Sequence, residues 1–300
     1  MTALFTPDLD AYFARIGYEG PRAATLAVLH AITFHHTTSI PFENLDVLLG
    51  RGISLAPEAI FQKLVHARRG GYCFEQNNLL LLVLRALGYH VTPIGARVRW
   101  LRARDVTPAR THLFLRVHLT EGDWLTDVGM GGASLTGAIP LEFDRELPTP
   151  HEPRRLVREQ GRLFHQLWTG SEWTDCCEFT LDEVFPIDCE VANWWTSTCP
   201  ASHFKVNVVA GRAGRDGTRK GIRAGELSAL RAPGSRVTSE SVKKIPQPAA
   251  GTGLEFTHRR GAEILARVPV TSASQLLALL AEHFDLSFPA GTRFGPAGPA

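Results

Sequence analysis

Apolar residues recur every three to four positions through the first eighty-odd residues and every second position after Tyr89, so the chain turns from helical to extended near Gly88. Thr6 and Pro7 suit a helix start, Leu9, Tyr12, Phe13 and Ile16 fall on one face, and Gly17 stops the helix. A second helix is predicted from Thr25, with Leu26, Leu29 and Ile32 along its buried stripe. Ser54 and Pro57 open a third, carrying Ile60, Phe61, Leu64 and Val65. The fourth begins about Cys73 and ends at Gly88; it is apolar almost all round from 77 to 87, the mark of a central buried helix. Residues 90–101, 111–119 and 124–128 then read as strands, with Glu121-Gly122-Asp123 as a turn. In the middle strand Leu113, Leu115 and Val117 share one face, and His112, Phe114, Arg116 and His118 the other.

Further strands are predicted near 163–168, 176–179 and 206–209, with an irregular, proline-marked connection from 140 to 153. Residues 211–221 form a basic loop with Arg212, Arg215, Arg219 and Lys220 around an Asp216-Gly217 hairpin turn. A solvated turn is the commoner fate of such a loop, and contact with a phosphorylated ligand is the sharper one. Residues 245–253 read as a loop, 272–284 as a final helix with Leu276, Leu277, Leu279 and Leu280, and 289–300 as a disordered tail rich in proline, glycine and alanine. The fold class is α+β. A helical first part is followed by an antiparallel sheet from Tyr89, and a third region begins at Asn193. A cysteine on a central helix followed by an antiparallel sheet is also the layout of cysteine nucleophile enzymes of the papain type, an analogy of fold alone.

A net charge of +2 gives no general attraction to nucleic acid or membrane. Residues 1–13 contain Asp8 and Asp10 and lack the apolar core of a signal peptide, and the longest purely apolar run, 79–84, is too short to span a bilayer. A cytoplasmic protein is expected. Five cysteines, Cys73, Cys176, Cys177, Cys189 and Cys199, do not resemble a secreted disulfide framework. Cys199 and His203 have a half-site spacing without a second pair, so no metal is expected. His35 and His36 read as surface or turn residues.

Residues 69–77, Arg-Gly-Gly-Tyr-Cys-Phe-Glu-Gln-Asn, set a lone cysteine after a glycine hinge at the first turn of the buried helix. A helix N-terminus carries roughly half a positive charge, which favours the nucleophilic thiolate. The commoner role of a free cysteine is that of a small buried hydrophobe. A nucleophile needs a histidine to take its proton and a group to orient that histidine. His112, at the start of a strand just downstream, is the best placed of twelve histidines. Asp127 sits within Trp-Leu-Thr-Asp-Val-Gly-Met-Gly-Gly, where an unpaired buried carboxylate would be costly. A tight hairpin at Glu121-Gly122 sets Asp127 opposite Arg116 and leaves His112 about four residues out of register, so an Arg116–Asp127 ion pair competes with the His112 pairing.

These motifs, in this order and spacing, with the Thr-His-Leu-Phe-Leu segment at 111–115, resemble the arylamine N-acetyltransferases; 40–51 (IPFENLDVLLGR) and 193–198 (NWWTST) extend the likeness over about the first 210 residues. The resemblance implies a helical domain (1–88), a β-barrel-like antiparallel domain (89–192) and an α/β lid (193–300), with a Cys73–His112–Asp127 triad. It implies an acceptor pocket lined by Phe42, Val98 and Phe204, with Arg69 and Tyr72 flanking the nucleophile. Acetyl-CoA is then the co-substrate, acetyl passes through a cysteine thioester in ping-pong fashion, and arylamines, arylhydrazines and arylhydroxylamines are the acceptors. Met130 stands where bacterial relatives often carry an aromatic, and Cys199 where many carry histidine. A cysteine hydrolase of protease or transglutaminase type would use the same triad, although the nonapeptide and the lack of a pro-segment weigh against it. An amide synthase releasing a polyketide as a macrolactam would use the same scaffold.

Overall fold

The computed structural model describes residues 5–100, 102–224 and 253–295. The helical part comprises α1 (Leu9–Ile16), α2 (Leu26–Ser39), a short strand β1 (Phe42–Glu43), α3 (Leu45–Leu48), α4 (Pro57–Phe61) running into a π-helical turn at Gln62–His66, and α5 (Cys73–Ala86). Its starts have local causes. Asp8, rather than Thr6, caps α1 by accepting from the Ala11 N–H at 3.0 Å, because it stands three residues before that free first-turn donor. Thr25 caps α2, and Gly17 ends α1 with φ near +64°. The apolar faces of α1, α2, α4 and α5 meet in one core around Tyr12, Leu29, Leu64 and Leu80.

The second part is an antiparallel sheet with strand order β5-β4-β3-β2-β9-β8-β7-β6. Its strands are β2 (His90–Val98), β3 (His112–Leu119), β4 (Gly122–Thr126), β5 (Ile139–Pro140), β6 (Glu146–Leu147), β7 (Arg154–Glu159), β8 (Arg162–Trp168) and β9 (Trp173–Glu183). The alternation along β3 divides two cores. Leu115 and Val117 join the helical core, while Phe114 points into the sheet's interior with Ile94, Leu125 and Phe179.

Helix α6 (Pro186–Thr198) and the short α7 (His203–Val206) lead to a second sheet, with order β1-β10-β11-β12-β13. Its later strands are β10 (Ala210–Ala213), β11 (Arg219–Ala224), β12 (Leu254–Arg260) and β13 (Glu263–Val270), and α8 (Ala273–Phe284) covers it. Four sequence expectations need correction. The boundary expected at 192/193 falls inside α6, and this sheet borrows β1 from the helical part. Residues 206–209 are not a strand, because α7 and Asn207 occupy that stretch and pairing begins at Ala210. Arg212, Arg219 and Lys220 belong to paired strands, so the loop expected at 211–221 is reduced to the turn between them. Residues 289–295 of the expected tail are anchored through one side chain: Phe294 is buried against Phe288, with ring centroids 5.0 Å apart. Residues 245–252 and 296–300 lie outside the described residues. Among the described residues, no helix is long and apolar enough to cross a membrane.

Candidate active site

Helix α5 begins at the cysteine. Glu75 reaches back to accept from the Tyr72 N–H at 3.0 Å, and Lys63 Nζ, 2.7 Å from Glu75 Oε1, compensates that buried carboxylate. Gly70 leaves room for a backbone approach: a Cβ there would lie 2.2 Å from the Pro41 carbonyl oxygen. Cys73 is buried, and its sulfur lies 3.5 Å from the carbonyl oxygen of Thr111, the residue before His112. The nucleophile therefore sits against the start of β3.

His112 Nε2 lies 2.8 Å from Asp127 Oδ2, and both side chains are buried. The carboxylate is fully engaged: Oδ1 accepts from Asn77 Nδ2 and from the Gly129 N–H, each at 2.9 Å. An acceptor-only carboxylate makes Nε2 the protonated nitrogen, which leaves the Nδ1 lone pair to receive a proton. Burial alone would raise the Asp127 pKa, but His112, Asn77 and the Gly129 N–H outweigh it and hold the group below its ordinary value. The competing ion pair is absent, since Arg116 bonds Asp123 at 3.0 Å through Nε. The tight turn falls one residue earlier than expected, at Thr120-Glu121, so Leu119 faces Gly122, Arg116 faces Leu125 rather than Asp127, and pairing stops at Leu115↔Thr126. Asp127 lies just past the last rung, free to turn toward His112. That local break replaces the register conflict predicted from strand counting.

Asn77 was not singled out as a site residue. It lies one helical turn after Cys73, donates to the Leu113 carbonyl at 2.7 Å and accepts from the Val128 N–H at 3.0 Å. One amide thus ties the nucleophile helix, the histidine strand and the aspartate loop together. The polar run 75–78 opening a helix whose next six residues are all apolar was the available signal, and Asn77 is fully buried. Gly129 also escaped notice: a Cβ there would stand 2.7 Å from Cys73 Cα.

The thiol does not behave as its helix position suggests. Burial, followed by the charge of Asp127, pushes Cys73 well above the ordinary thiol value, and the Phe74 N–H at the helix start only partly offsets this. Ionisation then depends on passing the proton to an imidazole already oriented by a carboxylate.

The expected pocket residues divide into two adjoining groups. Phe42 and Tyr72 share one buried cluster with Cys73, and Phe204 packs on it, its ring centroid 6.0 Å from Phe42 and 5.7 Å from Tyr72. The Tyr72 hydroxyl donates to Asn193 of α6. Val98 and Met130 instead pack in the sheet interior, where Val98 pairs with Cys177 and the Met130 sulfur lies 3.8 Å from the Cys177 sulfur. Arg69 is a correction. Its guanidinium is committed to Glu43 at 2.7 Å and Asp46 at 3.1 Å and stacks on Phe288, so it braces the glycine loop rather than facing the pocket. His36, expected at the surface, is fully buried, because α2 lies in the core. Gln76 Nε2 donates to the Pro41 carbonyl at 2.8 Å, so its Oε1 accepts from His36 Nε2 at 2.7 Å, and the Tyr12 hydroxyl donates to Nδ1 at 2.8 Å. Burial brings the His36 pKa down to about 4.

A family model described as N-acetyltransferase matches residues 25–245. The arylamine N-acetyltransferase of Mycolicibacterium smegmatis is 39% identical over 267 residues, covering 87% of this chain and 97% of the relative. The chain belongs to the arylamine N-acetyltransferase family. Solved structures of the family superpose closely. That of the Mycobacterium tuberculosis enzyme has a TM-score of 0.80 at 35% identity, covering 92% of this chain and 93% of that one. That of the Mycobacterium marinum enzyme in complex with CoA has a TM-score of 0.79 at 33% identity, covering 93% and 92%. Within an arylamine N-acetyltransferase framework, Met130 places a sulfur against Cys177, a softer and more adaptable wall than a ring. Cys199 ends α6, and among the described residues no group of histidine, cysteine and carboxylate side chains is arranged to hold a metal.

Proposed function

We propose that this protein transfers acetyl from acetyl-CoA to arylamines and arylhydrazines through a thioester on Cys73. The observation that carries the reading is the His112–Asp127 pair beside a buried thiol at a helix start. The Cys73 proton passes to His112 Nδ1, and the thiolate attacks the acetyl carbonyl. Collapse of the tetrahedral intermediate expels the coenzyme thiolate, which takes the proton back from His112. The thioester exchange is nearly balanced in free energy, so the acetyl stays activated. The amine then attacks acetyl-Cys73, His112 accepts its proton, and Cys73 leaves as thiolate to be protonated again. Asp127 fixes the imidazole tautomer and stabilises its charged form throughout.

Phe42, Tyr72 and Phe204 form an apolar wall beside the sulfur that favours an aromatic acceptor and keeps water from the thioester. Val98 and Met130 would line its deeper side. That wall and the family membership favour transfer over the hydrolase and macrolactam-forming alternatives. We further place the enzyme in the cytoplasm, where a reduced thiol persists.

Initial-rate kinetics with acetyl-CoA and a panel of arylamines and hydrazines test the reading. Parallel double-reciprocal lines and loss of turnover in Cys73→Ala are expected. Intersecting lines, or turnover retained by Cys73→Ala, would remove the thioester mechanism.

A further inference from the structure

Away from the triad, a groove of about 380 Å³ opens where the C-terminal ends of α1 and α2 meet Arg68 and the β10–β11 hairpin. Arg15, Arg68, Arg212, Arg215 and Lys220 line it, against a single carboxylate, Asp285. Helix ends account for part of this. Arg15 Nη1 donates to the Ser39 carbonyl at 3.0 Å, and Arg215 Nη2 to the Ile16 carbonyl at 3.0 Å, so both satisfy terminal carbonyls. Such bonds anchor the guanidinium groups without cancelling their charge. Asp285 pairs with Arg212 and is itself mostly exposed. Arg68 and Lys220 have no carboxylate partner among the described residues.

The backbone supplies an independent observation. Arg68 has φ near +52°, a left-handed conformation that glycine adopts freely and arginine only at a cost on the order of 1 kcal/mol. A strained residue here carries a cation into a site already crowded with cations. Burial and then the charges of Arg68 and Arg212 bring the Arg15 pKa down to about 10, so the crowding is felt. A multivalent anion would relieve it, and arginine forks suit phosphate oxygens.

We propose that this groove binds the di- or triphosphate group of a small molecule, held by Arg68 and Lys220 over the anchored Arg15, Arg212 and Arg215. Two sources share that chemistry, the phosphates of the coenzyme and those of a separate nucleotide-like ligand. Calorimetric titration of the full-length protein with inorganic tripolyphosphate at low ionic strength is the test. The comparison is with the double variant Arg68→Gln/Lys220→Gln and with Arg145→Gln, which removes an exposed charge elsewhere. Wild type and Arg145→Gln should bind alike, and the double variant at least tenfold more weakly with an undiminished Tm. No binding by wild type, or equal affinity in the double variant, would overturn the proposal. Steady-state kinetics then separate the sources. A raised KM for acetyl-CoA but not for S-acetyl-N-acetylcysteamine, which lacks phosphates, assigns the groove to the coenzyme. Unchanged KM for both donors, with tripolyphosphate binding lost, assigns it to a separate ligand.

Discussion

Replacing Gly129 by alanine puts the proposed site geometry under a defined load. The added Cβ would stand 2.7 Å from Cys73 Cα, 2.6 Å from Asn77 Nδ2 and 3.0 Å from the Cys73 carbonyl oxygen. Carbon atoms in contact prefer about 3.5 Å, so the aspartate loop and the start of α5 must part by roughly 0.8 Å. Two of the three contacts are with backbone, which cannot swing aside. Overpacking of this kind costs about 1–3 kcal/mol of stability. The kinetic cost is larger, since a misplacement of about 1 Å in a reacting constellation loses on the order of 100-fold in rate. The same push loosens the Asn77–Asp127 and Gly129–Asp127 hydrogen bonds that hold the carboxylate against His112. The assay is pre-steady-state acylation of Cys73 by p-nitrophenyl acetate, read as the rate of the nitrophenolate burst. Gly132→Ala is the control, since a Cβ there meets nothing within 4 Å. Gly129→Ala should slow the burst about 100-fold while keeping its amplitude, and Gly132→Ala should match wild type. A Gly129→Ala burst as fast as wild type would show that the spacing of α5 and the aspartate loop does not govern the thiol.

Asp127→Asn presents an amide in place of the acceptor for His112 Nε2–H, so the imidazole adopts the other tautomer; turnover should fall by about 1,000- to 10,000-fold with the circular dichroism spectrum preserved. If the variant unfolds instead, Asp127 is a structural anchor first. Glu152, buried among Arg219, Arg154 and Arg259, ties the barrel-like sheet to the second sheet; burial opposes its ionisation, but these cations bring its pKa down to about 2 from 4.5. Its stabilisation, of order 3 kcal/mol, is therefore complete above about pH 4.5 and lost as pH falls toward 2. Urea unfolding of wild type and Glu152→Gln should show a stability gap at pH 7 that narrows below pH 4.5; a gap independent of pH would refute the assignment. His36 acts in a higher window. Its neutral form is favoured in the fold, so stability is full above pH 6.5 and declines toward pH 4, by up to about 1.4 kcal/mol per pH unit for this group. A flat Tm between pH 7 and 5 would contradict that.

Much of the candidate site was legible because its chemistry is carried by short local signals. The Gly70-Gly71 hinge, the helix start at Cys73 and the aspartate within an apolar stretch each follow from neighbours in sequence. Helix starts at Thr25 and stops at Gly17 were legible for the same reason. What escaped notice depends on partners far along the chain. His36 is buried because Tyr12 and Gln76 satisfy both its nitrogens, and no local pattern around it says so. Arg69 looked like a pocket residue until Glu43 and Asp46, more than twenty residues earlier, proved to hold it. Residues 289–295 resembled disorder by composition, yet Phe294 packs into the second sheet's core beside Phe288. The register of β3 and β4 was misplaced by counting because the turn falls at Thr120-Glu121 rather than Glu121-Gly122, which moves every pair by two, and Asp127 then lies beyond the last rung.

The central claim is that the buried sulfur of Cys73 carries the acetyl group between donor and acceptor. Intact-mass measurement after mixing with acetyl-CoA in the absence of amine, followed by peptide mapping, tests it most directly. One acetyl group on Cys73, discharged on adding an arylamine and absent in His112→Gln, is the predicted result. An acetyl group on any other residue, or product formed while Cys73 stays unmodified and dispensable, would contradict it.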